Sequence, residues 1–326
     1  MQKKALITGI SGQDGYYLAN LLFKKNYQVY GITRNNTKKD KALEIIVTKL
    51  FIYDLNEEGL INKVLSEVKP DEIYHLAAYH FSSQNQENYS KDFKKFFQTN
   101  LFITQDILEW IKFNNLQTKL FYASTCQIFG KCSNPPQNEN TPYSPDSLYA
   151  ISKTAATNLC SFYRIRHQIY VSVGILYNHE SIRRSGNFIS TLIAEAAAKA
   201  YLNLPCKLEI NKINATVDWG SAEDFVEAIW LTLQQEKSDN YIISTGVSHT
   251  VKEFIECAFN IINKNHESYV FQRLSPEIDT SNEKTLIGDN SKIIRQCNWE
   301  PRISFENMVK TMVLYQINKL KTDNVS

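Results

Sequence analysis

The sequence is poor in the residues that build metal and redox centres. Its six cysteines (126, 132, 160, 206, 257 and 297) form no Cys-x-x-Cys pair, and its six histidines show no metal-ligand spacing. Metal ligands and a redox dithiol are therefore not expected. Charge of one sign is also missing. The 36 Lys and Arg against 34 Asp and Glu leave a net +2, too weak a field for nucleic acid or a membrane surface. A local basic cluster for a phosphate remains compatible with it. No apolar run approaches the roughly 20 residues that span a bilayer, and there are no repeats or low-complexity tracts. The chain enters an apolar run at Ala5-Leu6-Ile7-Thr8-Gly9, which leaves no room for a signal peptide. These absences point to a reduced, cytoplasmic protein with free thiols.

What is present is an ordinary globular composition, 43% hydrophobic and 21% charged over 326 residues. That length suits one large α/β unit or two closely packed lobes. Apolar runs at Ala5–Ile10, Gln28–Thr33, Lys49–Tyr53, Glu72–Ala77, Lys119–Ser124 and Val171–Leu176 show little polar alternation, as buried parallel strands do. Helix-period segments at Tyr16–Lys25, Phe93–Phe113 and Ser147–His167 lie between them. The predicted fold is α/β, a Rossmann-type doubly wound parallel sheet with right-handed crossovers. It occupies mainly residues 1–177. A smaller C-terminal α/β lobe is expected mainly over 178–326, with the chain free to cross between the two. Helices at Ala222–Gln235 and Val251–Lys264, and short strands at Leu208–Ile210, Tyr241–Ser244 and Tyr269–Gln272, are read into that lobe. The polar tail Lys319–Ser326 reads as frayed.

The first strand runs into Gly9-Ile10-Ser11-Gly12-Gln13-Asp14-Gly15 and then a helix. Glycines placed between strand and helix allow a tight turn and close approach of a pyrophosphate, which the helix N-terminus favours electrostatically. The second strand ends in Thr33-Arg34, without the acidic residue that holds a ribose 2′-hydroxyl in NAD sites. Arg34 suits a 2′-phosphate, so NADP(H) is favoured and NAD(H) stays open. The same arginine also fits a solvated strand end. Asp54, closing the third strand, suits either the adenine amino group or a helix cap.

Tyr149 and Lys153 stand four apart in a helical segment, on one face. A lysine beside a phenol lowers its pKa and prepares it as a general base. Ser124 and Thr125 end the fifth strand, at the edge where such sheets bind ligands. Asn100 reads either as a support for this group or as a helix-surface amide.

These motifs together resemble the extended short-chain dehydrogenase/reductases, and within them the GDP-mannose 4,6-dehydratases. The resemblance covers nearly the whole chain. It rests on the glycine run above, on Asp71-Glu72-Ile73-Tyr74-His75-Leu76-Ala77-Ala78 and Ser147-Leu148-Tyr149-Ala150, and on Gly174-Ile175-Leu176-Tyr177-Asn178-His179-Glu180-Ser181. Arg183-Arg184, Asp218-Trp219-Gly220, Thr245-Gly246-Val247 and Trp299-Glu300-Pro301 extend it. It implies oxidation of a sugar C4 hydroxyl, loss of water across C5–C6 and return of hydride to C6. Tyr149 would be the C4 base, Lys153 its partner and Thr125 the orienting hydroxyl. Gly9, Gly12, Gln13, Asp14, Gly15, Arg34, Asp54, Leu55, Leu76, Ala77 and Ala78 would line the cofactor. Ser124, Asn178, Glu180, Arg184, Asn187 and Glu283 would meet the substrate, a nucleotide-diphosphate sugar and by preference a GDP-sugar.

The sequence departs from that family where the elimination takes place. The family follows its catalytic threonine with serine and glutamate, and here Cys126 and Gln127 stand instead. An amide cannot accept the C5 proton. Either Cys126, as a thiolate, takes the glutamate's part, or Cys126 is only packed and Gln127 only orients substrate. A C4 dehydrogenase or reductase, an epimerase, a 5,6-dehydratase and a non-catalytic nucleotide-binding relative are the alternatives. Three expected cationic places around the diphosphate are neutral, namely Leu192, Val217 and Thr280, with Lys207, Lys212 or Lys284 available to compensate. A short loop after Arg34 points to a homodimer, with a tetramer as the alternative. The dimer would use helices Phe93–Phe113 and Ser147–His167, whose Phe96, Phe97 and Phe162 read as exposed, although an intramolecular core would explain them too.

Overall fold

A computed structural model of the chain describes residues 2–34, 41–80, 89–131, 135–273 and 285–323. The first half alternates strand and helix. Its strands are β1 (Lys4–Thr8), β2 (Gln28–Thr33), β3 (Lys49–Ile52), β4 (Glu72–His75), β5 (Lys119–Thr125) and β6 (Val171–Leu176). Its helices are α1 (Gln13–Lys24), α2 (Lys41–Ile46), α3 (Leu60–Val68), α4 (Tyr89–Phe97), α5 (Ile103–Asn114) and α6 (Leu148–His167). The second half adds β7 (Asn178–Glu180), α7 (Ile189–Tyr201), β8 (Leu208–Ile210), β9 (Thr216–Ser221) and α8 (Ala222–Thr232). It ends with β10 (Asn240–Ile243), β11 (Ser248–Thr250), α9 (Val251–Ile261), β12 (Val270–Gln272), α10 (Ser291–Cys297) and α11 (Phe305–Asp323).

The main sheet is parallel, in the order β3-β2-β1-β4-β5-β6-β10. β4 and β6 are buried at every position, because helices cover both faces, and so these strands show no polar alternation. On one face, Val64 and Leu65 of α3, Ile107 and Ile111 of α5 and Cys160 of α6 pack against Leu6, Ile73 and Tyr122. On the other, Leu18 and Leu22 of α1 and Phe225 and Ile229 of α8 pack against Ile7, Tyr74 and Phe121. A third core joins Ile193 of α7, Phe254 of α9 and Val309 of α11 beneath the short strands. The strand order reverses between β1 and β4, and the crevice outside their carboxyl ends is where this class of sheet binds ligands.

Three features depart from the sequence reading. The Tyr241–Ser244 strand, expected in the C-terminal lobe, is β10 and pairs with β6 in the main sheet. Short apolar strands carry no signal of which sheet they join, and α8 likewise returns to cover α1. The expected single helix Phe93–Phe113 is interrupted by a π turn at Gln98–Phe102. Just before that turn, Phe96 is completely buried against Tyr79, ring centroids 5.1 Å apart, so of the two readings it is the core one that holds. Finally, α11 runs through Lys319 to Asp323, where fraying was expected. Among the described residues, no helix is long and apolar enough to cross a membrane.

Candidate active site

Two glycines bring α1 up to the end of β1. Gly9 has φ +73°, and a Cβ there would stand 3.0 Å from the Ala77 backbone. At Gly15 a Cβ would fall 2.4 Å from the Gly9 carbonyl and 2.5 Å from Ile10 Cα. Only hydrogen fits, so the N-terminus of α1 lies open against the strand end. Such a cradle fits the pyrophosphate of a dinucleotide. Thr8 fixes the opposite wall, its Oγ1 accepting from Ala77 N (3.1 Å) and meeting His75 Nδ1 at 2.8 Å. Gly9, Gly12, Arg34, Asp54, Leu55, Leu76, Ala77 and Ala78 all line one groove of about 250 Å³. Asp54 also ties its own turn, accepting from Asn56 N at 3.0 Å. Beyond Arg34, which is exposed, Lys94 and Lys95 line an adjoining hollow with it.

The side chains of Gln13 and Asp14 engage β7 rather than this groove. Gln13 Nε2 donates to the His179 carbonyl (3.0 Å) and its Oε1 accepts from Ser181 (2.8 Å). His179 Nε2 sits 2.9 and 3.0 Å from the two Asp14 oxygens, and its Nδ1 lies 2.7 Å from the Tyr177 carbonyl. The glycine loop is thus bonded directly to β7. Sequence reading saw Gln13 and Asp14 but missed this link, which needs residues over 160 positions apart.

The carboxyl end of β5 and the first turns of α6 bring Thr125, Tyr149 and Lys153 together. Lys153 is buried, donates to the Ala123 carbonyl at 2.7 Å and lies 4.8 Å from the Tyr122 ring centroid. Burial pushes its pKa down to about 7. Its Nζ is 5.9 Å from the Tyr149 ring centroid. The larger effect on the Tyr149 phenol is burial, which holds its pKa above the usual value against a hydrogen bond with Thr125. Thr125 also caps the following turn, accepting from Gln127 N at 3.3 Å. Cys126 is packed in the core beside Ile128 and Phe129, while Gln127 is half-buried. Ser124, expected at the substrate, instead turns its hydroxyl into the core, 2.7 Å from Thr157 of α6.

Asn100 proves to be a support and not a surface amide. It is fully buried in the π turn. Its Oδ1 accepts from Tyr79 N (2.8 Å), and its Nδ2 donates to the Tyr79 carbonyl (3.1 Å) and to Ser152 (2.9 Å). It therefore fastens the segment after β4 to the helix carrying Tyr149 and Lys153. The next residue, His80, was not singled out from the sequence. Its ring meets Tyr149 edge-on at 4.7 Å and stacks on Phe188 at 5.8 Å, 11° from parallel. One signal was available: it is a titratable residue just past the carboxyl end of a buried strand.

The expected substrate residues divide. Arg184 lies over Phe188, 3.6 Å from the ring centroid, and pairs with Glu180 at 3.2 Å. Glu180 is buried and accepts from Ser190 at 2.7 Å, so it positions Arg184 from behind. Asn178 and Asn187 are exposed, while Leu192 and Val217 are half-buried. Lys207 is paired with Glu209 at 3.0 Å. Glu283, Thr280 and Lys284 lie outside the described residues, as does the loop after Arg34.

A doubly wound sheet with its glycine cradle at the switch point, and Thr125, Tyr149 and Lys153 at the strand ends, is the arrangement of an extended short-chain dehydrogenase/reductase. Solved structures agree on the fold. RMD from Pseudomonas aeruginosa, complexed with NADPH, superposes with TM-score 0.80 at 20% identity, covering 98% of this chain and 100% of that one. A dTDP-glucose 4,6-dehydratase from Bacillus anthracis, in complex with NAD, gives TM-score 0.82 at 20% identity, covering 98% of each chain. The chain belongs to the GDP-mannose 4,6 dehydratase family, whose model matches residues 6–312. GDP-mannose 4,6 dehydratase 1 of Arabidopsis thaliana is 36% identical, over 99% of this chain and 92% of that protein.

Proposed function

We propose that the chain is a GDP-hexose 4,6-dehydratase that works with NADP(H), beginning with oxidation of the sugar C4 hydroxyl. The observation that carries this reading is the meeting of Thr125, Tyr149 and Lys153, with Lys153 Nζ 5.9 Å from the Tyr149 ring centroid and Thr125 hydrogen-bonded to the phenol. Family membership directs it toward a GDP-sugar. A nicotinamide dinucleotide held along Gly9, Gly12 and Ala77 would supply the hydride chemistry between C4 and C6. Thr125 orients the C4 hydroxyl and Tyr149 takes its proton. Lys153, held at the Ala123 carbonyl, places positive charge beneath the phenol when protonated and favours its ionised form. Arg184 faces the diphosphate, steadied by Glu180 and Phe188. Gln127 orients the sugar, because its amide cannot take a proton.

NADP(H) is favoured over NAD(H) by the convergence of Arg34, Lys94 and Lys95 on the ribose end of the groove, where a 2′-phosphate would lie. Titration of purified protein with each dinucleotide tests this. Arg34→Ala is expected to weaken NADP⁺ by roughly 10- to 100-fold, the worth of one charge-assisted contact, and to leave NAD⁺ unchanged. The reaction is tested by mass spectrometry of GDP-mannose turned over with NADP⁺. A product lighter by one water supports the dehydratase. A product lighter by two hydrogens, with reduced cofactor accumulating, makes the chain a C4 dehydrogenase. An unchanged mass with inverted C4 makes it an epimerase. The exposed apolar residues of α6, Phe162 and Ile165, together with Phe113 of α5, support a homodimer. Phe162→Glu with Ile165→Glu is expected to give monomers in sedimentation.

A further inference from the structure

We propose that His80 is the acid/base group that removes water across C5–C6, a role resting on the dehydratase reading above. Once C4 is a ketone, the neighbouring C5 proton is acidic and needs an acceptor beside Tyr149. Residue 127 is an amide and takes no proton. Tyr149 has received the C4 proton, Lys153 is held at the Ala123 carbonyl, and Cys126, although near enough for its charge to act on Tyr149, is a core residue only 3% exposed. His80 follows directly on Leu76–Tyr79, which line the groove. Its ring is held between two fixed aromatics, edge-on to Tyr149 at 4.7 Å and parallel to Phe188 at 5.8 Å. C5 is bonded to C4, so a group against the C4 base reaches it without rearrangement.

The ring is also in the right protonation state. Although one edge is exposed, close surrounding by protein, then the charges of Arg184 and Lys153, push its pKa down to about 4. It enters the reaction neutral, with a free nitrogen lone pair. That nitrogen takes the C5 proton, the C5–H electrons form the C5=C6 bond and the C6–O bond breaks. The imidazolium returns the proton to the leaving hydroxide, which departs as water. When hydride reaches C6, the double-bond electrons collect a proton at C5 through the same ring, resupplied from solvent. Atoms and charge balance with no further co-reactant.

Three readouts on GDP-mannose with NADP⁺ in heavy water separate the steps: transient reduced cofactor, deuterium at C5, and product mass. In His80→Gln, C4 oxidation is expected to persist while water loss and C5 deuterium fall by about 100-fold or more. The 4-keto hexose then accumulates. Adding Gln127→Glu to that variant is expected to restore water loss, which a merely structural defect would not allow. His80→Asn repeats the test should His80→Gln not fold. Water loss at the wild-type rate in His80→Gln overturns the assignment and leaves the dehydratase reading intact. So does loss of C4 oxidation in equal proportion, or abolition of water loss by Cys126→Ser with the His80 variants unaffected. A wild-type protein that forms the ketone and never loses water overturns both.

Discussion

Cutting the Asp14–His179 pair should leave the glycine loop tied to the β7 region by Gln13 alone, at a cost that the geometry sets. The Tyr177 carbonyl and the Asp14 carboxylate can only accept, so both nitrogens of His179 carry protons and the ring is an imidazolium. Burial alone would raise the Asp14 pKa, but the charge and hydrogen bond of His179 hold it below the usual value. Burial alone would lower that of His179, and Asp14 holds it above. Removing one member of a buried pair strands the other, at roughly 3–5 kcal/mol. Asp14 keeps 22% of its side-chain surface, so the low end, about 3 kcal/mol, is the expected cost of Asp14→Ala. An unfolding entropy of about 2.1 cal/mol/K per residue gives about 0.7 kcal/mol/K for this chain, and hence a drop in Tm of about 4 °C. His179→Ala should cost a similar amount, and the double variant should fall short of their sum by about 1.5–3 kcal/mol. The His179 contribution is complete below about pH 6.5 and disappears as pH rises through its elevated folded value. The Asp14 contribution is present above about pH 3.9 and disappears as pH falls through its depressed one. Coupling should therefore be largest between about pH 4 and 6.5 and decline at higher pH. Calorimetric melts of the four proteins from pH 5 to 9 measure it. Additivity at pH 6, or a coupling that grows above pH 8, would refute the imidazolium assignment.

Gly15→Ala forces a Cβ to 2.4 Å from the Gly9 carbonyl, so the loop must move. About 1–3 kcal/mol of stability and most of the dinucleotide affinity should be lost, as calorimetric titration would show; undiminished binding would mean that the cradle does not hold the pyrophosphate. Asn100→Ala leaves the Tyr79 amide and carbonyl without their partner and should cost about 2 kcal/mol, near 3 °C in Tm on the entropy above. An unchanged melt would argue against the Asn100 tie. Lys153→Met should melt higher than the parent at pH 7 while losing C4 oxidation, because burial holds the lysine pKa near 7, well below its unfolded value of about 10.4. From pH 7 upward the unfolded parent binds the extra proton and the parent gains stability. The margin should thus shrink toward pH 9.5, and a constant margin would contradict the burial argument.

The central sheet was legible because strands covered on both faces, such as β4 and β6, are continuous apolar runs, and even the edge strand β3, half exposed, carries one. The glycine loop was legible because chain reversal between strand and helix leaves few residue choices. β10 was read as a strand but assigned to the wrong sheet, since pairing is a long-range property that four residues do not encode. The π turn has no compositional mark, and for Phe96 the sequence left an exposed face and an intramolecular core both open, of which burial selects the core. Thr125, Tyr149 and Lys153 were found from spacing and strand position. Ser124 was read toward a ligand, whereas its hydroxyl meets Thr157 of α6, a contact 33 positions away that the strand alone does not encode. His80 was missed because only the folded chain sets it against Tyr149, 69 positions away.

The π turn at Gln98–Phe102 also says something about how the site can change. Such a turn is an α-helix carrying one surplus residue, and here the Asn100 carbonyl is taken up by the Tyr122 and Thr104 hydroxyls. Deleting a single residue within it would mend the helix and leave its hydrophobic seam against α6 largely recoverable. The same deletion would turn the preceding segment by about 100° and carry Asn100 away from Tyr79 and Ser152. The length of this turn, more than its composition, therefore sets whether Asn100 reaches Tyr79 and Ser152.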